Sequence, residues 1–229
     1  MLTLLCLLPW RAGAAAFEFG EPYFETVGDA ESIPDNNVTA LAQDRAGFIW
    51  IGTTDGLIRY DGYRYRYFGN APDDPRSLSG DLIRCLLSSS DGRIWAGTNA
   101  DGVSVFDPAS ASFTRYRQDG EVGQVISHDT VRALAEDAAG GVYIGTREGL
   151  DYWNPQTRQI EHLRQRLGPQ GSAEDEHVSA LLVDHQGTLW VGSWNGLSRR
   201  RAGEAAFERV FATPDVDQNT LRGEIVQAL

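Results

Sequence analysis

Short apolar runs separated by turn-forming residues fill the chain from residue 38 onward. The short, mostly apolar stretch Val38 to Gln43 reads as a first strand, ended by Asp44-Arg-Ala-Gly47, a turn signal. Phe48 to Thr53 follows as a nearly continuous apolar run around Trp50, then the turn Thr54-Asp-Gly56, then Leu57 to Tyr60. After Asp61-Gly62, the run Tyr63-Arg-Tyr-Arg-Tyr-Phe68 alternates aromatic with arginine. Period-two alternation marks strands buried on one face, and the tight Asp-Gly turn favours a hairpin. The pattern predicts four strands. The outermost is wetted on one side, and the second, apolar on both faces, must be covered on both.

This set of four recurs. The first apolar residue returns at 38, 83, 131, 178 and 226, and a glycine after an aromatic-containing run returns at 52, 97, 145 and 192, so the spacing is 45 to 48 residues. Repeats run at about 38–68, 83–116, 131–163 and 178–211, and a fifth starts at 226. A four-stranded unit of this length that cannot bury its faces alone must stack on copies of itself, which is the pattern of a β-propeller. No segment sustains a 3.6-residue period, so a helical solenoid is excluded. The expected fold is an all-β propeller of four-stranded antiparallel blades, with about four complete blades and the start of a fifth, an incomplete ring. Pro22 to Val27 falls at a fourth-strand position with no mate in this scheme. Residues 17–229 alone are accordingly expected to self-associate through unclosed faces.

The aromatics Trp50, Trp95, Tyr143 and Trp190 share one position in the second strand. A position filled in every repeat is expected to pack between blades rather than to bind ligand. The glycines at 52, 97, 145 and 192 are expected to admit close backbone approach. Asp44, Asp137 and Asp184, with Ser89 in the second repeat, are expected to cap turns.

Composition narrows the partners. The chain of 229 residues carries 20 basic and 32 acidic residues, a formal net charge of −12, and every basic residue is arginine. Such a balance argues against nucleic acid and against an anionic membrane surface. The start, Met1-Leu-Thr-Leu-Leu-Cys-Leu-Leu-Pro-Trp10 followed by Arg11-Ala-Gly-Ala-Ala-Ala16, reads as a signal peptide over 1–16, leaving 17–229 as the propeller. Of the two cysteines, Cys6 lies in that segment, so Cys85 has no partner for an internal disulfide.

The search for chemistry identifies no catalytic, cofactor or metal residues, and leaves the ligand-binding residues unknown. Ser127-His128-Asp129 holds the residue types of a nucleophilic triad, but neighbours in an extended segment point in alternate directions. His128, His162, His177 and His185 lack zinc-site spacing. Cys85 sits where other repeats have Ala40, Ala133 and Ala180, the place of a small buried filler. Arg199-Arg-Arg201 is the one compact basic cluster, expected on a solvated strand rather than at an anion site.

The recurring Val-x-x-Leu, Asp-x-x-Gly, Trp-Ile-Gly-Thr, Gly-Leu and Tyr-Asp elements, sharpest in Phe48-Ile-Trp-Ile-Gly-Thr-Thr-Asp-Gly-Leu57, resemble the two-component regulator propeller repeat. In the fourth repeat Ser198-Arg-Arg-Arg201 departs from the Tyr-Asp ending. The resemblance implies the periplasmic sensor region of an inner-membrane receptor. A membrane helix and a histidine kinase or diguanylate cyclase output would follow in the same parent protein. It also implies an extracytoplasmic ligand, carbohydrate by analogy, and leaves room for a dimer of the full-length receptor. Two other functions fit a propeller: a periplasmic interaction scaffold, and a lyase or glycosidase needing converging catalytic groups at one end of the ring.

Overall fold

A computed structural model describes Ile33 and residues 37–163, 177–194, 196–210 and 226–228. The signal segment and the run Pro22 to Val27 lie outside the described residues.

The described residues form four antiparallel sheets of four strands each, with no helix among them. Blade 1 is β1 (Val38–Gln43), β2 (Ile49–Thr53), β3 (Gly56–Tyr60) and β4 (Tyr65–Phe68). Blade 2 is β5 (Ile83–Ser88), β6 (Ile94–Thr98), β7 (Val103–Asp107) and β8 (Ser112–Tyr116). Blade 3 is β9 (Val131–Glu136), β10 (Val142–Thr146), β11 (Gly149–Trp153) and β12 (Ile160–Leu163). Blade 4 is β13 (Val178–Val183), β14 (Leu189–Ser193), β15 (Gly196–Arg200) and β16 (Glu208–Arg209). Strands pair in sequence order within each blade. The first strands β1, β5, β9 and β13 lie side by side, so they form the inner wall and the blades fan outward from them. No closed ring forms among the described residues.

One expected boundary shifts. The alternating run from Tyr63 joins the sheet only at Tyr65, because the Asp61 carboxylate accepts the backbone N–H groups of Tyr63 at 2.9 Å and Arg64 at 2.7 Å. That turn leaves Tyr63 93% exposed.

Every first strand carries a β-bulge at its second residue. Val38 and Ala40 pair with the adjacent Thr53 and Gly52, so Thr39 is extra, and Arg84, Arg132 and Ser179 are extra in the same way. A bulge bends the strand and re-aims the surplus side chain, here on the inner wall.

Three apolar clusters join the blades. Trp50, Leu57 and Phe68 of blade 1 pack with Ile83, Ile94, Phe106 and Phe113 of blade 2. Trp95, Val103 and Tyr116 of blade 2 pack with Val131, Ile144 and Trp153 of blade 3. Tyr143 and Leu150 of blade 3 pack with Val178, Leu189 and Val191 of blade 4. Three of the second-strand aromatics therefore fill the wedges between blades, with Trp50 1%, Trp95 0% and Tyr143 7% exposed, while Trp190 is half-buried and outside these clusters.

The recurrent glycines show why no side chain fits there. A Cβ on Gly52 would lie 2.6 Å from Ile83, on Gly97 2.7 Å from Val131, on Gly145 2.5 Å from Val178 and on Gly192 2.8 Å from Val226. Each is the seat for the first apolar residue of the next repeat. Val226 is thus already docked on blade 4, and its N–H donates to the Ser193 carbonyl at 3.2 Å.

The repeated aspartates do more than cap turns. Asp44 accepts the N–H groups of Ala46 and Phe48, both at 3.0 Å, and the Trp50 indole N–H at 2.8 Å. Asp184 likewise accepts Gln186, Thr188 and the Trp190 indole, each at 2.9 Å. In blade 3, where Tyr143 replaces tryptophan, Asp137 instead accepts the Tyr152 hydroxyl at 2.9 Å. In blade 2, where serine stands at position 89, the Trp95 indole nitrogen is buried without a partner.

Candidate functional site

The inner wall has two ends. Asp44, Ser89, Asp137 and Asp184 turns occupy one, and these are consumed by the capping just described. At the other end the first strands begin, and the hairpin turns after the second strands lie beside them: the N–H of Asn99 donates to the Leu82 carbonyl, and that of Arg147 to the Thr130 carbonyl, both at 3.0 Å. This mouth carries the chemistry.

Arg84 and Arg132, the bulged residues of β5 and β9, open onto it together with Arg147, His128 and His177. The Arg84 guanidinium is held by its Nε–H donating to Asn99 Oδ1 at 2.6 Å. His128 Nδ1 accepts the Thr130 N–H at 2.8 Å, and its Nε2 lies 3.7 Å from Glu148 Oε1. His177 is 6% exposed and stacks on Trp194 with ring centroids 3.8 Å apart, while Trp194 itself keeps 44% of its surface exposed. Two buried polar atoms here have no partner, Arg132 Nε and His177 Nε2. Burial first, then Arg84 and Arg147, lower the Arg132 guanidinium below its ordinary value. Burial first, then the charges of Arg132, Arg147 and His128, push the His177 imidazole down to about 4. His177 is therefore neutral at pH 7 because of where it sits.

A Ser–His–Asp contact does form, from residues the local sequence did not join. Asp151, fully buried, accepts the Ser127 N–H at 2.7 Å and the Ser127 hydroxyl at 2.6 Å, and meets His162 Nδ1 at 2.7 Å. A nucleophile relay needs the hydroxyl to donate to one imidazole nitrogen while the other faces the carboxylate. Here Ser127 donates to the carboxylate, and the serine oxygen meets that same Nδ1 at 3.2 Å. Blade 2 makes the corresponding tie with Ser79 and Ser104, whose hydroxyl accepts the Ser79 N–H at 2.9 Å. The contact anchors a loop to a third strand. The neighbours in the Ser127-His128-Asp129 stretch diverge as expected: Asp129 accepts the Gln118 N–H at 2.7 Å and pairs with Arg117.

The other sequence candidates take structural roles. Burial pushes the Cys85 thiol up to about 12, so it stays protonated. Arg199 and Arg201 both pair with Glu208 at 3.1 Å, and Arg200 donates to the Tyr143 hydroxyl at 2.7 Å, so the basic cluster is spent within the fold. A cleft of about 290 Å³ on blade 4, lined by Asp184, Trp190, Arg199 and Arg201, repeats the arrangement of Asp44, Trp50 and Arg59 in blade 1 and is part of a blade face. Among the described residues no three metal-ligating side chains gather. No described helix is long and apolar enough to cross a membrane. The mouth was missed in the sequence because its members come from three blades. The available signal was the basic residue at the second position of two first strands.

Four-stranded antiparallel sheets fanned about their innermost strands define a β-propeller. The profile of the two component regulator propeller family matches residues 32–55, 77–100 and 172–195. These are the first, second and fourth repeats; the third, with Tyr143 in place of tryptophan, is built on the same plan. The extracellular domain assigned to the hybrid two component system BT3049 of B. thetaiotaomicron superposes with a TM-score of 0.71 at 21% identity, covering 82% of this chain and 26% of that one. The extracellular domain assigned to the one component system BT4673 of the same organism gives 0.61 at 22% identity, covering 81% and 23%. Virginiamycin B lyase from Staphylococcus aureus gives 0.58 at 14% identity, covering 79% and 57%. In sequence, a histidine kinase P4 of Formosa agariphila is 32% identical over 56 residues, 24% of this chain and 4% of that protein. The chain thus spans about a quarter of the two B. thetaiotaomicron domains and 4% of the histidine kinase, and at such identities the likeness to the solved structures is one of fold.

Proposed function

We propose that the chain is the extracytoplasmic, ligand-sensing propeller of a bacterial two-component-type receptor, its output supplied by other parts of the parent protein. The observation that carries the sensing half is the mouth, where the buried Arg132 Nε and His177 Nε2 lack protein partners at the end of a rigid, repeat-built wall. Unsatisfied buried donors and acceptors cost about 1–3 kcal/mol each. A ligand group that bonds to these atoms would offset that cost. The propeller repeats and the extracellular domains of similar fold support the location. The apolar start followed by small residues supports export.

The test is a fusion of the chain to a reporter phosphatase that folds only outside the cytoplasm, expressed in a Gram-negative host. Reporter activity with removal of the first residues near Ala16 is the expected result. An inactive reporter on a chain retaining Met1 overturns the location.

A further inference from the structure

We propose that the mouth formed by blades 2, 3 and 4 binds an oxyanion of its ligand, a carboxylate or sulfate carried on a ring that lies against Trp194. The proposal rests on the sensing role given above and names the chemistry of that same site.

Charge is the first argument. The chain has a formal net charge of −12, yet three arginines converge here, with the neutral His177 among them. Among the described residues none of Arg84, Arg132 and Arg147 forms an ion pair with a carboxylate. Glu148 is the carboxylate that reaches the group, and it reaches only His128. Like charges gathered on a partly buried wall repel, and such an arrangement persists where an anion relieves it. Guanidinium groups match planar carboxylates and tetrahedral sulfates through paired N–H donors, which a lone ammonium would not. The absence of lysine from the whole chain leaves these forks as its cationic chemistry.

Geometry is the second argument. Arg84 and Arg132 occupy equivalent bulges on adjacent strands, so the repeat itself brings their side chains to one rim. Arg84 is fixed by Asn99 at 2.6 Å, which pre-orients one fork. His177, stacked at 3.8 Å, holds the Trp194 ring in place beside the charges. An exposed indole stacked on the histidine that feels the charges of Arg132 and Arg147 offers a flat apolar surface alongside an anion seat, the two halves of an acidic sugar.

Binding of D-glucuronate, inorganic sulfate and D-glucose to the chain, followed by NMR titration at low salt and at about 0.3 M salt, tests this. Glucuronate is expected to bind at least about tenfold more tightly than glucose and to weaken severalfold in salt. Arg132→Gln and Arg147→Gln should each lose about tenfold in glucuronate affinity, with Arg132→Lys intermediate and all three unfolding at the wild-type temperature. Trp194→Ala should weaken glucuronate and leave sulfate unchanged. Sulfate bound more tightly than glucuronate assigns a sulfated ligand; the reverse assigns a uronate. Equal binding of glucose and glucuronate, or arginine variants that fold and bind as wild type, overturns the proposal. An exported chain that binds only neutral sugar overturns the anion site and leaves the sensing role standing; a chain that binds glucuronate yet stays in the cytoplasm does the opposite.

Discussion

β1 and β9 have nearly the same sequence, Val-Thr-Ala-Leu-Ala-Gln against Val-Arg-Ala-Leu-Ala-Glu, the same bulge and the same place in their blades. Their surroundings differ completely. Val131 in β9 is 0% exposed and Leu134 packs against the cluster between blades 2 and 3, while Val38 in β1 is 48% and Leu41 65% exposed. The reason lies in the neighbour. Val131 is seated on Gly97 of the preceding blade, and among the described residues no blade precedes β1. Alternation specifies which side chains face a neighbour; the neighbour decides whether they are buried. A repeat protein thus draws its stability from interfaces as much as from units.

The second-strand tryptophans widen this contrast most. Trp95→Ala, at a closed interface, should cost roughly 3–5 kcal/mol through the cavity it leaves. Trp190→Ala, on the half-buried outward face of blade 4, should cost about half as much. Urea unfolding of both variants checks it, and equal costs would mean that the neighbour does not set the energetics.

Next comes pH. His177 holds in blade 4 the place that exposed Asn37 holds in blade 1. Its pKa is about 4 when folded, against an ordinary value of 6.5. The unfolded chain therefore binds the extra proton between these values. Stability should be full above about pH 6.5 and fall as pH drops towards 4. His177→Gln should flatten that dependence in thermal melts taken across the range.

The paired valines give the direct test. Val131→Ala should cost about 2 kcal/mol and Val38→Ala less than about 0.5 kcal/mol, since only the first empties a packed seat. A loss at Val38 matching that at Val131 would show β1 to be covered.

The smallest effect is a gain. Ser89→Asp places in blade 2 the carboxylate that Asp44 and Asp184 offer their tryptophans, and it should satisfy the Trp95 indole. An increase of about 1 kcal/mol is expected in denaturant unfolding.

The strands, their order within a blade and the repeat itself were legible along the chain, because alternation and turn residues act within a few positions of one another. Trp50, Trp95 and Tyr143 could be assigned to packing from their recurrence alone. The start of β4 at Tyr65 could not, since it depends on which N–H groups Asp61 captures. The same holds for the indole bonds of Asp44 and Asp184, which need the turn already folded. The mouth was illegible for a stronger reason. Arg84, Arg132, Arg147 and His177 are spread over 94 residues, and each alone reads as a solvated or filler position. Sequence thus determined the unit and its period, through local propensity and alternation. Only the tertiary structure decided which units cover one another and which charges meet at the mouth, because burial and electrostatic repulsion depend on distances that the chain sets by closing one blade against the next.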